Sequence, residues 1–190
     1  DKFDNNRLEN SNKKIQNFKY NIVLSNINFG YEEEKNIFNN FNLEIKKGDK
    51  ILIKGKSGKG KSTLIRIICG LIKPSKGKIL IDNKSLGKEM SYSNWQRQIG
   101  LVRQKPYLKS GNLLNVILGE EINLNKKNAL KEAKYFAKLA CIEEFIESLP
   151  FGYMQPINED GNTLSGGQIQ RIAIASKLAL KPSILILDES

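Results

Sequence analysis

The stretch that most constrains this chain is a glycine- and lysine-rich run of eight residues, Gly55-Lys56-Ser57-Gly58-Lys59-Gly60-Lys61-Ser62. It fits the pattern G-x-x-x-x-G-K-[ST] at every fixed position. The apolar residues ILI precede it, and STLIRIICGLI follows it with apolar residues at helical spacing, so the context is strand, loop and helix. Glycines let such a loop curl until several backbone N–H groups converge on one anion. The sequence therefore predicts a phosphate-binding loop.

The motif assigns roles to individual side chains of the loop. Lys61 would reach the β- and γ-phosphates of a nucleotide, and the Ser62 hydroxyl would ligate Mg²⁺. The predicted nucleotide-binding residues of this loop are Gly55, Ser57, Gly58, Lys59, Gly60, Lys61, Ser62 and Thr63. A glycine- and lysine-rich surface turn is the alternative for the motif alone, and the flanking strand and helix weigh against it.

Two adjacent acids, Asp188 and Glu189, follow the apolar run Ile184–Leu187. Four consecutive apolar residues suit a short strand that is covered on both faces. A phosphate loop needs an acid across the sheet to hold the hydration shell of Mg²⁺, which predicts Asp188 as a metal-site residue. Glu189 would orient or deprotonate a water for attack on the γ-phosphate. Many strands end in acids, so this pair is specific only together with the upstream loop.

Strands alternate with helices along the chain, which predicts an α/β fold with a largely parallel sheet. The predicted strands are a segment from residue 21 with Val23, Ile27, Phe29 and Tyr31 on one face, the run FNLEI, Ile51–Ile53 after a turn at Lys47-Gly48-Asp49, the run GKILIDNKSL, and the final ILIL. The predicted helices cover residues 61–73, 126–148 and 166–180, and each is followed by a proline that cannot continue it.

The last predicted helix opens with Leu164-Ser165-Gly166-Gly167-Gln168. Ser165 at the N-cap and Gln168 three residues later form a capping box. An ordinary capped helix explains these two residues, but it does not explain two glycines in the first turn, which cost about 1 kcal/mol each relative to alanine. Gly166 and Gly167 are therefore predicted to let a second anion approach the backbone closely.

Three features together resemble the nucleotide-binding domain of ABC transporters: LSGGQ followed by QR, a GxSGxGKS loop, and an apolar strand ending in DE. The resemblance covers about residues 21–190 and implies ATP and Mg²⁺ as ligands. It also implies that Tyr31 stacks on adenine, where the alternative is a strand-end tyrosine that covers the sheet. Gln104, otherwise a solvated loop residue, would touch Mg²⁺ and the attacking water.

The same resemblance implies an ATPase that works as a dimer. In this family the LSGGQ motif, here with Ser165–Gln168, closes over the γ-phosphate that the phosphate loop of a second domain holds. The implied catalytic residues are Glu189, Gln104 and Lys61, and the implied metal-site residues are Ser62, Gln104 and Asp188. The expected partner is thus a second nucleotide-binding domain, most simply another copy of the same chain.

The resemblance also implies a division of the chain and a fold class. The expected segments are a polar linker over residues 1–20, an antiparallel β subdomain with the phosphate-loop core over 21–103, a helical subdomain over 104–163, and a return to the core over 164–190. The expected fold is a P-loop NTPase-like parallel sheet with an antiparallel β subdomain and an inserted helical subdomain.

The run Asn158-Glu159-Asp160-Gly161-Asn162-Thr163 before the motif resembles exporters, in particular bacterial peptide and bacteriocin exporters. Importers usually lack that glutamate stretch. The resemblance implies a transmembrane domain fused upstream, with residues 1–20 as its linker, and a location at the cytoplasmic face of the cell membrane. The transported substrate is not encoded in these residues.

Two departures from the family pattern concern the end of the chain. Ala175-Ser176-Lys177-Leu178 stands where the family commonly has A-R-A-L, which displaces a positive charge by one position. The family continues beyond the DE strand with a further loop and a histidine near the γ-phosphate, and this sequence contains no histidine. We therefore expect a piece truncated after this strand, which binds nucleotide but hydrolyses it poorly on its own.

Composition leaves two other function classes open. The formal net charge is +11, with 31 basic against 20 acidic residues, and this is the only support for a soluble ABC-type protein that acts on nucleic acid or ribosomes. The lysines are spread along the whole chain, so no specific nucleic-acid partner is expected. A non-catalytic nucleotide-binding module is the third possibility.

Cys69 and Cys141 are predicted to be small buried hydrophobic residues in a reducing compartment.

Overall fold

The computed structural model describes residues 18–32, 35–119, 126–158 and 164–188. The strands are β1 (Asn21–Glu32), β2 (Lys35–Lys46), β3 (Lys76–Ile81), β4 (Lys84–Ser85), β5 (Ile99–Val102), β6 (Gly111–Asn112), β7 (Pro156–Ile157) and β8 (Ile184–Leu187). The helices are α1 (Lys61–Ile68), α2 (Tyr92–Gln96), α3 (Leu113–Leu118), α4 (Lys126–Leu139), α5 (Glu143–Ser148) and α6 (Gly166–Ala179). None of the helices within these described ranges is long and apolar enough to cross a membrane.

The strands β1 to β4 form a four-stranded antiparallel sheet in the order β2-β1-β3-β4. The run GKILIDNKSL is a hairpin rather than one strand, because Asp82 and Asn83 both have positive φ, 49° and 64°, as a tight hairpin turn requires. The Asp82 carboxylate also accepts hydrogen bonds from the backbone N–H groups of Lys19 and Tyr20, both at 2.7 Å. The turn therefore fixes the start of β1 as well.

The predicted inward face of β1 is wrong over its first half. Ile22 and Leu24 are buried together with Ile27, whereas Val23 is only half-buried. The alternation changes phase because the pairing with β2 shifts register between Leu24 and Ile27, where Asn26 has a φ of 53°. Such a bulge adds one residue to a strand and moves every later side chain to the other face.

The parallel pairing among the described residues is between β5 and β8, with Val102 opposite Leu187. Ile184 and Ile186 of β8 pack into the core that contains the apolar side of α1, while Leu185 packs into the core that contains α6. Residues 184–186 thus contact apolar side chains on both faces of the strand, as the apolar run predicts, whereas Leu187 at its end is 43% exposed. This sandwich places α1 and α6 on opposite sides of one strand.

The predicted strand Ile51–Ile53 is absent, and its side chains are 48%, 75% and 36% exposed in sequence order. A strand exists only by pairing with a neighbour. Within the part of the chain that the structure describes, β5 and β8 pair with each other and no strand pairs with this segment. The apolar pattern alone was therefore insufficient to predict its conformation.

The predicted helix 166–180 is confirmed by α6, and the other two helices differ from prediction. α1 ends at Ile68 because Gly70, with a φ of 65°, lies just beyond its C-cap. The predicted helix 126–148 is divided into α4 and α5 at Cys141, whose φ is 54°. Cys69 is buried as predicted, but Cys141 is exposed because it lies in that turn.

Candidate functional site

The phosphate loop leads directly into α1, and the start of this helix lacks the usual side-chain cap. Its N-cap residue is Gly60, with a φ of 86°, which has no side chain that could cap the first turn. No acidic residue lies in that turn either. The first N–H groups of a helix have no acceptor within the helix and carry its partial positive charge. The start of α1 therefore has the character of an anion site.

Lys61 is the first residue of α1, and its side chain turns back over the loop. Its ammonium group donates to the carbonyl oxygen of Gly55 at 2.9 Å and to that of Lys56 at 3.2 Å. The two predicted site residues Gly55 and Lys61 are thus brought together. The contacts hold one positive charge within the curve of the loop.

The two loop glycines with positive φ have different surroundings. A Cβ on Gly60 would lie 2.5 Å from Cγ2 of Ile37 and 3.2 Å from Cζ of Phe38, both on β2. A Cβ on Gly58, whose φ is 78°, would meet nothing within 4 Å. The β1–β2 hairpin therefore packs closely against the end of the loop at Gly60 and leaves Gly58 open to solvent.

Tyr31 lies near the end of β1, and its side chain is 60% exposed. Its hydroxyl lies 3.4 Å from Oγ1 of Thr63 and accepts a hydrogen bond from Nη1 of Arg66 at 3.3 Å. The hydrogen bond with Thr63, followed by the Arg66 guanidinium, lowers the pKa of the Tyr31 phenol. The ring also packs edge-on against Phe29, with centroids 5.1 Å apart.

Arg66 is the residue near the phosphate loop that sequence reasoning missed. It is the exposed position of a helix whose Thr63, Leu64, Ile65, Ile67 and Ile68 are buried. A lone charged residue in an apolar run, three positions after Thr63 on the same helix face, is the signal that could have indicated it.

Gln104 and Asp188 follow the ends of the paired strands β5 and β8. Because these strands are parallel, their carboxyl ends meet at one edge of the sheet. The Asp188 N–H donates to the carbonyl oxygen of Val102 at 2.9 Å, and Gln104 lies exposed two residues beyond Val102. Both predicted metal-site residues therefore follow strands that end at this edge. Glu189, the predicted general base, lies outside the described residues, as do residues 159–163.

The start of α6 differs from that of α1 because it is capped by its own side chains. Ser165 Oγ accepts from the Gln168 N–H at 3.3 Å, and the Gln168 side-chain oxygen accepts from the Ser165 N–H at 2.8 Å. This confirms the predicted capping box. A Cβ added at Gly166 or Gly167 would meet no atom within 4 Å, so packing inside the described chain does not require either glycine.

Comparison with known proteins places these features in a family. Residues 38–190 match the family model described as ABC transporter. The chain belongs to the ABC transporter family. This ABC transporter chain is 44% identical over 172 residues to the leukotoxin translocation ATP-binding protein LktB of Mannheimia glucosida, which covers 89% of the chain and 23% of LktB.

Two further similarities concern exporters. The chain is 42% identical over 173 residues to the alpha-hemolysin translocation ATP-binding protein HlyB of Escherichia coli, covering 90% of the chain and 24% of HlyB. A solved structure of a bacterial Atm1-family ABC exporter with ATP bound matches with a TM-score of 0.79 and 32% identity, over 90% of this chain and 29% of that one. These matches confirm the predicted ABC ATPase fold. The chain spans only 23% of the length of LktB and 24% of the length of HlyB.

Proposed function

We propose that this chain is the ATP-binding and ATP-hydrolysing domain of an ABC exporter, which drives transport across a membrane by ATP-dependent dimerisation. The observation that carries the proposal is the uncapped start of α1 beside Lys61, whose ammonium lies 2.9 Å from the Gly55 carbonyl oxygen. The backbone N–H groups at the start of the helix and a lysine side chain converge there, and these are the donors that a triphosphate requires.

The loop fits a nucleotide phosphate chain for reasons of space as well as charge. Gly58 adopts a φ of 78°, and a Cβ added to it would have no neighbour within 4 Å, so an anion can approach the backbone on that side. We assign the phosphate contacts to Gly55, Ser57, Gly58, Lys59, Gly60, Lys61, Ser62 and Thr63. Tyr31, held next to α1, is assigned to the adenine ring.

Mg²⁺ would be held by hard oxygen donors, which the predicted metal residues supply. We assign the Ser62 hydroxyl, the Asp188 carboxylate and the Gln104 amide oxygen to this role, and it is supported by the common sheet edge at which the strands before Gln104 and Asp188 end. When bound, the ion neutralises charge on the phosphates. Glu189, directly after Asp188, would hold the attacking water and accept its proton as the bond to the γ-phosphorus forms and ADP leaves.

The dimer proposal rests on the two glycines of α6. Gly166 and Gly167 cost helix stability and are exposed, yet no contact inside the described chain requires them. Close approach of a phosphate held by a second copy would explain their presence. In this arrangement Ser165–Gln168 of one copy faces the Lys61 loop of the other, and the homodimer contains two ATP molecules.

The membrane side of the proposal rests on the relatives. LktB and HlyB are named for translocation of leukotoxin and alpha-hemolysin, and the matched structure is an ABC exporter. We therefore infer a transmembrane domain as partner, joined upstream of this domain, and a position at the cytoplasmic face of the cell membrane. No specific nucleic-acid partner is part of this function.

The decisive experiment compares Glu189→Gln with the unchanged intact protein. We expect Glu189→Gln to bind Mg·ATP with unchanged affinity, to lose turnover, and to accumulate as a dimer in analytical ultracentrifugation. Glu144→Gln, the same change at an exposed position of α5, should leave all three properties unaltered. Unchanged turnover in Glu189→Gln would remove the general-base assignment, and absence of Mg·ATP binding in the unchanged protein would remove the function itself.

A further inference from the structure

Arg66 joins the β1–β2 hairpin to the helix that follows the phosphate loop. Its Nη1 donates to the Tyr31 hydroxyl at 3.3 Å, and the same hydroxyl lies 3.4 Å from Oγ1 of Thr63. Thr63 and Arg66 are three positions apart on α1 and therefore lie on one face of the helix. Thr63 is buried, with 6% of its surface exposed, whereas Arg66 is exposed. The Tyr31 hydroxyl therefore contacts one buried and one exposed residue of α1.

Among the described residues the Arg66 guanidinium has no ion pair that would compete with its bond to Tyr31. Glu32, which follows Tyr31 in the chain, pairs with Lys35 at 2.9 Å. Arginine presents several N–H donors in a planar fork, so one donor can hold the phenol while the others remain in water. Thr63 and Arg66 both favour the ionised form of the phenol, which is consistent with its lowered pKa. The three side chains thus form a continuous polar link, here called the Tyr31 clasp: Tyr31, Thr63 and Arg66.

We propose that Arg66 is a positioning residue, which holds the Tyr31 ring beside the phosphate loop and so determines how much the nucleotide base contributes to binding. The proposal rests on the proposed function and deepens it. An exposed tyrosine that is free to rotate loses side-chain entropy when a base stacks on it. A ring that the clasp already orients has less freedom to lose, which favours the bound state.

A competing role for Arg66 is a direct contact with the phosphates, since it is a cation on the helix that begins at the loop. The two roles predict different ligand dependence. A positioning residue affects ligands that carry a base and leaves inorganic triphosphate unaffected. A phosphate contact affects both ligands to the same extent.

The test measures Kd for Mg·ATP and for Mg-bound inorganic triphosphate by calorimetry in the intact protein. The variants are Arg66→Met, Arg66→Lys, Tyr31→Phe and the double variant Tyr31→Phe/Arg66→Met. We expect Arg66→Met to weaken ATP binding about fivefold, the scale of one net hydrogen bond, and to change triphosphate binding less than twofold. Arg66→Lys should restore part of the ATP affinity, because lysine retains a donor and a charge.

Non-additivity provides the second criterion. In the Tyr31→Phe background the hydroxyl is absent, so Arg66→Met should cause no further loss of ATP affinity. Equal weakening of ATP and triphosphate, full additivity in the double variant, or an unchanged ATP Kd in Arg66→Met would each overturn the positioning role. Failure of the unchanged protein to bind either ligand would instead refute the proposed function, so the two failures are distinguishable.

Discussion

The ammonium nitrogen of Lys61 lies 2.9 Å from the carbonyl oxygen of Gly55, six residues earlier in the chain. A second carbonyl, that of Lys56, lies 3.2 Å from the same nitrogen. The side chain and the loop are therefore one unit, because the curvature of the loop determines where the charge lies. Any change that straightens the loop also displaces the lysine.

The first prediction concerns this charge. Lys61→Met keeps the length of the side chain and removes the charge, so we expect Mg·ATP affinity to fall about 10- to 100-fold, as for a charge-assisted hydrogen bond of about 1.5–3 kcal/mol. Calorimetric titration provides the measurement. Lys78→Met makes the same change at an exposed position of β3 and should leave Kd unaltered. An equal loss in both variants would mean that only the overall positive charge matters.

The second prediction separates backbone strain from packing in the loop. Gly58 and Gly60 both have positive φ, but only Gly60 faces Ile37, at 2.5 Å from a Cβ position. Gly58→Ala should lower the free energy of unfolding by about 1–2 kcal/mol through strain alone. Gly60→Ala should lower it by a further ~1–3 kcal/mol, because the added methyl group overpacks the contact. Urea unfolding measures both, and equal losses would show that Ile37 moves aside without cost.

Features fixed by local residues could be predicted from the sequence. The capping box of Ser165 and Gln168 depends on side chains three positions apart, and the structure has both of its hydrogen bonds. The turn into α1 depends on glycine at position 60, which the motif specifies. The boundaries of α6 follow from the cap at its start and from Pro182 after its end. In each case the determining residues lie within one helical turn of the feature.

Features that depend on distant residues could not be predicted. Ile51–Ile53 has the composition of a strand but no partner among the described strands. The bulge at Asn26 reverses the inward face of β1, and the break at Cys141 ends α4, although neither residue is a glycine or proline. The contact of Arg66 with Tyr31 joins positions 35 residues apart. The apolar periodicity of a segment does not indicate a missing pairing partner, a single positive φ or a contact between distant residues.

The third prediction uses the different burial of the two thiols. Cys69 is 3% exposed, and burial raises its pKa to about 11, whereas Cys141 is exposed. The thiolate is the reactive form, so a disulfide reagent at pH 8 should modify one thiol per folded chain rapidly. Cys141→Ser should abolish the rapid reaction, and Cys69→Ser should preserve it. Two rapid thiols in the unchanged protein would contradict the burial of Cys69.

The raised pKa of Cys69 also predicts a pH dependence of stability. The folded chain keeps the thiol proton to about pH 11, while the ordinary pKa is 9.0, so the folded state binds more protons between these values. The contribution of the neutral Cys69 thiol to the free energy of unfolding is therefore fully present below pH 9 and is lost as the pH rises through 11. Relative to Cys69→Ala, the unchanged protein should lose on the order of 2 kcal/mol over this window. Cys141→Ser should not alter the dependence, and urea unfolding at several pH values tests it.

The final prediction distinguishes folding from function at the start of α6. Gly167→Ala replaces a residue whose Cβ position is open, so we expect the free energy of unfolding to rise by up to about 1 kcal/mol. Ser165→Ala removes the hydrogen bond to the Gln168 N–H and should lower it by about 0.5–2 kcal/mol. If a phosphate of a second copy approaches these residues, both variants should nevertheless lose ATP-dependent dimerisation, which sedimentation detects. A Gly167→Ala protein that is more stable and still forms the dimer would contradict this role of the glycine. The added methyl group would then clash neither with its own chain nor with the nucleotide of the partner, so close approach would not require glycine.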